Sequence, residues 1–228
     1  MSTDGVWVVL PAFNEAGVID QVLDELTRAG YRVVIVDDGS DDDTGRRAQR
    51  YPVTILRHIC NLGQGAALQT GISYALRDPE TRFIVTFDSD GQHGTADIAR
   101  LLDPLKAGTH DVVLGSRFAP GGDVRNIGWL KRVTLRLAVA FTRLTTGLAV
   151  TDTHNGLRAL SSAAAARIKI THNHMAHASE LLAQIGQAGL RYCEVPVTIT
   201  YTDYSRAKGQ SVLNSVNILW DILRSKIR

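Results

Sequence analysis

Only two cysteines, Cys60 and Cys193, occur in the chain, and they stand in no paired or metal-like spacing. That argues against a disulfide framework and fits a reducing compartment. Long apolar runs are missing too: none approaches the roughly 18–20 residues a helix needs to span a bilayer. The N-terminus, Met1-Ser2-Thr3-Asp4-Gly5, lacks a basic region and does not read as a signal peptide. Charge of one sign is scarce as well. A net charge of +2 is too small to argue for nucleic acid as a partner. There is no internal repeat, low-complexity tract or clear linker. What remains is a 228-residue chain with a hydrophobic fraction of 44%, enough for a real core. The expectation is a single domain over residues 1–228, intracellular and soluble or peripheral.

The stretch with most information is Phe83-Ile84-Val85-Thr86-Phe87-Asp88-Ser89-Asp90-Gly91-Gln92-His93. Its β-branched and aromatic residues read as a buried strand. The strand stops at two acids one residue apart. If the chain stayed extended, Asp88 and Asp90 would share a face. Two carboxylates aimed into one crevice repel unless a cation sits between them.

The surrounding chain places that stretch. Val6–Leu10 reads as a first strand broken by Pro11-Ala12-Phe13-Asn14-Glu15, and a helix follows to about Gly30. Val33–Val36 is a second strand ending in Asp37-Asp38-Gly39-Ser40-Asp41, with Ser40 expected to cap the next helix. Val53–Leu56 is a third strand, and Asn61-Leu62-Gly63-Gln64-Gly65 opens another helix. A helix over 95–106 and a strand over 111–114 follow Asp90. Such alternation predicts βαβ units and a parallel sheet with helices on both faces. Ligands then bind at the carboxyl ends of the strands. Pro11/Asn14, Asp37/Asp38, Asn61/Gly63 and Asp88/Asp90 all fall there. Singly, each is ordinary turn chemistry. Jointly, they point to a site.

These residue types suit a nucleotide sugar. Breaking its anomeric bond requires neutralising charge on a diphosphate, which Mg²⁺ or Mn²⁺ held by one or two carboxylates can do. Asp88 and Asp90 fit that role, with Gln92 as a neutral oxygen ligand. The helix opening at Gly63-Gln64-Gly65 offers N–H groups to phosphate. Asp37 or Asp38 can accept hydrogen bonds from a base edge or ribose.

The segments Leu10-Pro11-Ala12-Phe13-Asn14-Glu15, Val36-Asp37-Asp38-Gly39-Ser40-Asp41-Asp42, Asn61-Leu62-Gly63-Gln64-Gly65-Ala66-Ala67, Asp88-Ser89-Asp90-Gly91-Gln92 and Gly115-Ser116-Arg117 resemble the family 2 glycosyltransferases. The branch they are most similar to contains dolichyl-phosphate mannosyltransferase and the bacterial polyprenyl-phosphate glycosyltransferases. The resemblance implies an α/β GT-A (Rossmann-like) three-layer sandwich with a mostly parallel central sheet. It also implies an inverting enzyme that uses a UDP- or GDP-linked sugar. Pro11, Asn14, Glu15 and Asp38 would line the nucleoside pocket. Asp37, Gly63, Gln64, Gly65, Asp88 and Ser89 complete the expected donor side, and Asp88, Asp90 and Gln92 would hold the metal. Arg117, Lys131, Arg132, Asp152, Arg206 and Lys208 would form the acceptor side, with residues 1–115 as the donor half and 116–228 as the acceptor half. A phosphate monoester acceptor is largely ionised near neutral pH and needs cations more than a base. An alcohol acceptor would need a base, and Asp152 or Asp90 are the candidates. The branch implies work at the inner face of the cytoplasmic membrane.

The chain departs from the branch in places. Gln64 stands where Lys is frequent, Leu157 replaces Phe in Asp152-xxx-Gly156-Leu157-Arg158, and the Arg-xxx-Ser/Thr pattern after Arg117 is missing. His172, His174 and His177 fit no zinc spacing and read as a polar loop near the site. A carboxy-terminal amphipathic helix over 212–228 reads either as core packing or as an interfacial helix on anionic membrane. Two rival readings share these residues: the same donor chemistry on a soluble saccharide or other hydroxyl acceptor, and a non-catalytic sugar-nucleotide-binding subunit.

Overall fold

The computed structural model describes residues 3–125, 139–140, 142–144, 146–153, 155–174 and 176–200. The elements run β1 (Val6–Ala12), α1 (Ile19–Arg28), β2 (Arg32–Asp37), α2 (Thr44–Ala48), β3 (Thr54–Arg57), α3 (Gln64–Ala75), β4 (Phe83–Thr86), α4 (Ala96–Lys106) and β5 (Val112–Ser116). After them come β6 (Asp123–Arg125), β7 (Arg158–Ser161), α5 (Ser162–Arg167), α6 (His177–Gln187), β8 (Tyr192–Pro196) and β9 (Thr198–Thr200). The sequence also predicts a long helix over 126–146, and the described residues from 139 onward include a helical stretch. Lys131, Arg132, Arg206, Lys208 and the expected carboxy-terminal helix lie outside the described residues.

Seven strands form one sheet in the order β3-β2-β1-β4-β7-β5-β8, and β6 pairs with β9 in a second, parallel sheet. Every pairing in the large sheet is parallel except the two made by β7. β1 alternates its side chains between two cores, as a strand must. Val6, Val8 and Leu10 face a layer containing Leu23 and Leu26 of α1 and Leu101 and Leu102 of α4. Trp7 and Val9 face the opposite layer, with Leu68 and Ile72 of α3 and Leu181 and Ile185 of α6. Covered on both faces, the parallel strands are almost continuously apolar. The α/β three-layer architecture is the one expected.

Three local expectations change. Pro11 does not break β1. The β4 ladder has ended there, and the Pro11 carbonyl accepts the Ser89 hydroxyl at 2.7 Å, so the missing N–H costs no ladder bond. Ser40 does not cap α2, which starts later, at Thr44; its hydroxyl accepts the Asn14 N–H at 3.0 Å. β4 stops at Thr86, so Asp88 and Asp90 lie beyond the strand, with Asp90 in the turn that follows.

Candidate active site

The four strand-end segments close into a ring of hydrogen bonds. The β1 segment meets the β2 segment through Asn14, whose Oδ1 accepts the Asp41 N–H at 2.9 Å. The β2 segment meets the β3 segment through Asp38. Its Oδ1 accepts from Leu62 N at 3.0 Å and lies 2.6 Å from His58 Nδ1, and its Oδ2 accepts from Gly63 N at 2.7 Å. The β3 segment meets the β4 segment where Gln64 Nε2 donates to Asp88 Oδ1 at 2.8 Å. Ser89 returns to Pro11 and completes the circuit. Local turn propensity accounts for each segment singly but not for bonds between residues 20 to 78 positions apart.

Several groups that the sequence assigned to ligand also hold the fold together. Asp37 is wholly buried, and its Oδ1 accepts the Ser40 N–H, which shapes the β2 turn. Asp38 is 3% exposed and clamps residues 58–63 with both oxygens. The Gly65 N–H at the start of α3 donates to the Asn173 carbonyl at 2.7 Å. A β-carbon on Gly63 or Gly65 would run into residues 172–174, so that loop packs directly on the helix start. It is tied in place by Glu180, which accepts from Thr171 N and His172 N. The polar loop expected at the histidines therefore covers the turn that carries Gln64.

Asp88 and Asp90 differ electrostatically. Burial pushes Asp88 up, but the hydrogen bond and charge of His93, with Arg158 and His177, outweigh it and hold Asp88 below the usual carboxylate range. Burial pushes Asp90 to about 6, helped by the negative charge of Asp88 and, more weakly, of Glu15. The two acids thus sense each other although the strand has ended. His93 Nε2 lies 3.4 Å from Asp88 Oδ2, and His93 Nδ1 is buried without a hydrogen-bond partner among the described residues. Among those residues no group of three or more His, Cys, Asp or Glu could hold a metal. Hard oxygen donors from two carboxylates, short of a full protein cage, match the way Mg²⁺ and Mn²⁺ are held jointly by protein and phosphate. Gln92 donates its backbone N–H to Asp90 Oδ1 at 3.0 Å, which fixes the turn between them.

Of the residues expected on the acceptor side, Arg117 and Asp152 meet. Arg117 Nε and Nη2 each donate to the Asp152 carboxylate at 2.6 Å, and Arg117 N adds a third bond at 3.1 Å. Both residues are buried. The two-pronged geometry is the one a guanidinium favours with a carboxylate. Arg158, absent from the sequence-predicted site, lies between the two clusters on β7. It is across from Thr86 of β4 and Leu114 of β5, and its charge acts on both Asp88 and Asp152. A β-carbon on Gly156 would overlap the Asp88 carboxylate, so any larger residue there displaces that carboxylate. The Asp152-xxx-Gly156-Leu157-Arg158 pattern contained both residues, but nothing in it shows that they point at Asp88.

The sequence model of glycosyl transferase family 2 matches residues 7–169. The chain belongs to that family. A protein of Methanocaldococcus jannaschii without assigned function is 36% identical over 100% of this chain and 94% of its own length. The UDP-N-acetylglucosamine–dolichyl-phosphate N-acetylglucosaminyltransferase of Methanococcus voltae is 31% identical over 97% of this chain and 96% of its own. Among solved structures, glucosyl-3-phosphoglycerate synthase of Mycobacterium tuberculosis, in complex with Mn²⁺ and UDP-glucose, superposes with a TM-score of 0.73 at 18% identity. That match covers 96% of this chain and 77% of that one, and at such identity it speaks for the fold. The fold is thus GT-A, and this family 2 enzyme is a glycosyltransferase whose strand-end ring lies on the ligand-binding edge of the sheet.

Proposed function

We propose that the enzyme transfers a sugar, with inversion, from a nucleoside diphosphate to a polyprenyl phosphate, using Mg²⁺ or Mn²⁺ held by Asp88 and Asp90. The observation that carries this reading is the pair of acids at the carboxyl end of β4, close enough for the charge of one to raise the pKa of the other. A bound divalent ion would relieve that repulsion and neutralise the leaving diphosphate. The chain's own residues do the rest. Gln64 and His93 orient Asp88 from two sides. Asn14, Glu15 and the Asp38-clamped 58–63 segment shape the donor pocket. Gln92 adds an oxygen to the metal site. Arg117, its guanidinium direction set by Asp152, orients the acceptor phosphate towards the anomeric carbon. Lys131, Arg132, Arg206 and Lys208 supply further cations in this reading, which makes residues 1–115 the donor half and 116–228 the acceptor half.

The acceptor class is supported by the Methanococcus voltae relative, whose name specifies a dolichyl phosphate. No helix among the described residues is long and apolar enough to cross a membrane. In this reading the enzyme meets its lipid acceptor as a peripheral protein at the cytoplasmic face. The test is a matrix of UDP- and GDP-sugars against polyprenyl phosphate with Mg²⁺, Mn²⁺ or EDTA. Lipid-linked sugar formed only with metal is the expected result. Turnover on a soluble saccharide without lipid overturns the acceptor, and undiminished turnover in EDTA overturns the metal.

A further inference from the structure

Glu194 on β8 is absent from the sequence-predicted site, yet it anchors the segment that holds Arg117. Its Oε1 accepts from Thr151 N at 2.7 Å and Asp152 N at 3.2 Å. Its Oε2 accepts from the Thr151 hydroxyl at 2.7 Å. That hydroxyl lies 2.6 Å from the Ser116 hydroxyl, whose oxygen accepts from Phe118 N at 3.2 Å and Ala119 N at 3.1 Å. Because the Thr151 proton goes to Glu194, the Ser116 proton goes to Thr151, and the Ser116 oxygen is left to accept the two N–H groups. One carboxylate therefore fixes both chain segments that flank the Arg117–Asp152 pair: residues 116–119 on one side and 151–152 on the other. β8 lies beside β5, with Glu194 in register with Leu114, so the anchor is built into the sheet.

We infer that Glu194 is a positioning residue for the acceptor phosphate, acting through Asp152 to set the direction of the Arg117 guanidinium. The inference rests on the proposed role of Arg117. A carboxylate suits the position because every group it meets is a donor. An amide at the same place would turn one N–H toward the Thr151 oxygen, reverse the hydroxyl chain, and add a donor to a Ser116 oxygen that already accepts two. Among the described residues Glu194 hydrogen-bonds Thr151 and Asp152 and no member of the ring around Asp88 and Asp90, so the donor side should not feel the change.

The test uses the full-length enzyme and the variants Glu194→Gln, Glu194→Ala and Arg117→Lys. Binding of UDP with Mn²⁺ and binding of farnesyl phosphate in the presence of both are measured by calorimetry, alongside thermal unfolding. Glu194→Ala is expected to weaken farnesyl phosphate binding about 10-fold or more, in line with the loss seen when an orienting partner is removed. Glu194→Gln should weaken it by a smaller factor, with UDP affinity within about twofold of wild type in both. Should Glu194→Ala unfold, the Gln variant carries the test. Unchanged farnesyl phosphate binding in the Glu194 variants, with a loss in Arg117→Lys, overturns the positioning role alone. Parallel losses of UDP and farnesyl phosphate binding also overturn it, since they would mark general destabilisation. Unchanged binding in Arg117→Lys removes the Arg117 reading and the inference with it.

Discussion

Asp90→Asn should make the metal-free protein more stable, and the gain should depend on pH. The pKa of Asp90 rises from the ordinary 3.8 to about 6 on folding, through burial first and the charge of Asp88 second. The folded chain therefore holds this proton more tightly than the unfolded chain. The associated stability is full below 3.8 and is lost as pH rises through about 6. At 1.36 kcal/mol per unit, an ionised Asp90 costs the folded state up to about 3 kcal/mol at pH 8 and only about 0.5 kcal/mol at pH 4. Asparagine keeps an oxygen that can accept the Gln92 N–H and removes the charge. In EDTA at pH 8 the variant should therefore melt about 6–12 °C above wild type, by the usual scaling for a chain of this length. At pH 4 the difference should nearly vanish. Adding Mn²⁺ should raise the melting temperature of wild type and leave the variant unmoved, because only a folded state that binds the ion gains from it. A variant no more stable than wild type at pH 8 in EDTA would refute the reasoning, as would an equal gain at both pH values.

The histidine beside this site should tilt the acid limb the other way. Burial first, then the charge of Arg158, push His177 down to about 4, so its stability is present above 6.5 and lost as pH falls towards 4. His177→Asn, which can still donate to the His174 carbonyl, should recover about 3 kcal/mol at pH 4 relative to pH 8; urea titrations at the two pH values measure it, and parallel losses in both proteins would refute it. Gly156→Ala should drive the Asp88 carboxylate from its place. Activity should fall about 100-fold or more, the scale of a misplacement near 1 Å. Mn²⁺ affinity, read by electron paramagnetic resonance, should fall with it, and unchanged affinity would show that Asp88 does not bind the ion.

Much of the strand-end edge was legible in the sequence because it depends on local signals. β-Branched runs that end in Asn, Asp or Gly mark strand ends, and alternation with amphipathic helices places those ends on one edge of a parallel sheet. What those signals cannot give is which oxygen each side chain spends on its neighbours. Asp38 reads only as a ligand in sequence, and the structure shows that it also clamps the 58–63 segment. Gly65 reads as a phosphate cradle and donates to Asn173, a residue more than a hundred positions away. Glu194 carried no signal, since a lone acid in a strand before Pro196 looks like an exposed edge charge. Its role appears only when β8 is paired with β5.

What sequence alternation hides about β7 is its direction and its place between β4 and β5. It runs antiparallel between β4 and β5, so it enters the sheet at the edge where the other strands finish. Its first residue, Arg158, is therefore delivered beside the ends of β4 and β5. It is 3% exposed, and Asp88 and Asp152 both favour its charge against the cost of burial. Removing that cation leaves the buried Asp152 and the half-buried Asp88 short of compensation, a change worth about 3–5 kcal/mol when a buried partner is lost. Arg158→Gln should therefore differ in kind from the Glu194 variants. It should lower the melting temperature, change Mn²⁺ and UDP affinity through Asp88, and weaken farnesyl phosphate binding through Asp152 and Arg117, all in one variant. Calorimetry on the two ligands separates the outcomes. If only one ligand is affected, Arg158 serves one acid, and the donor and acceptor sites are electrostatically independent.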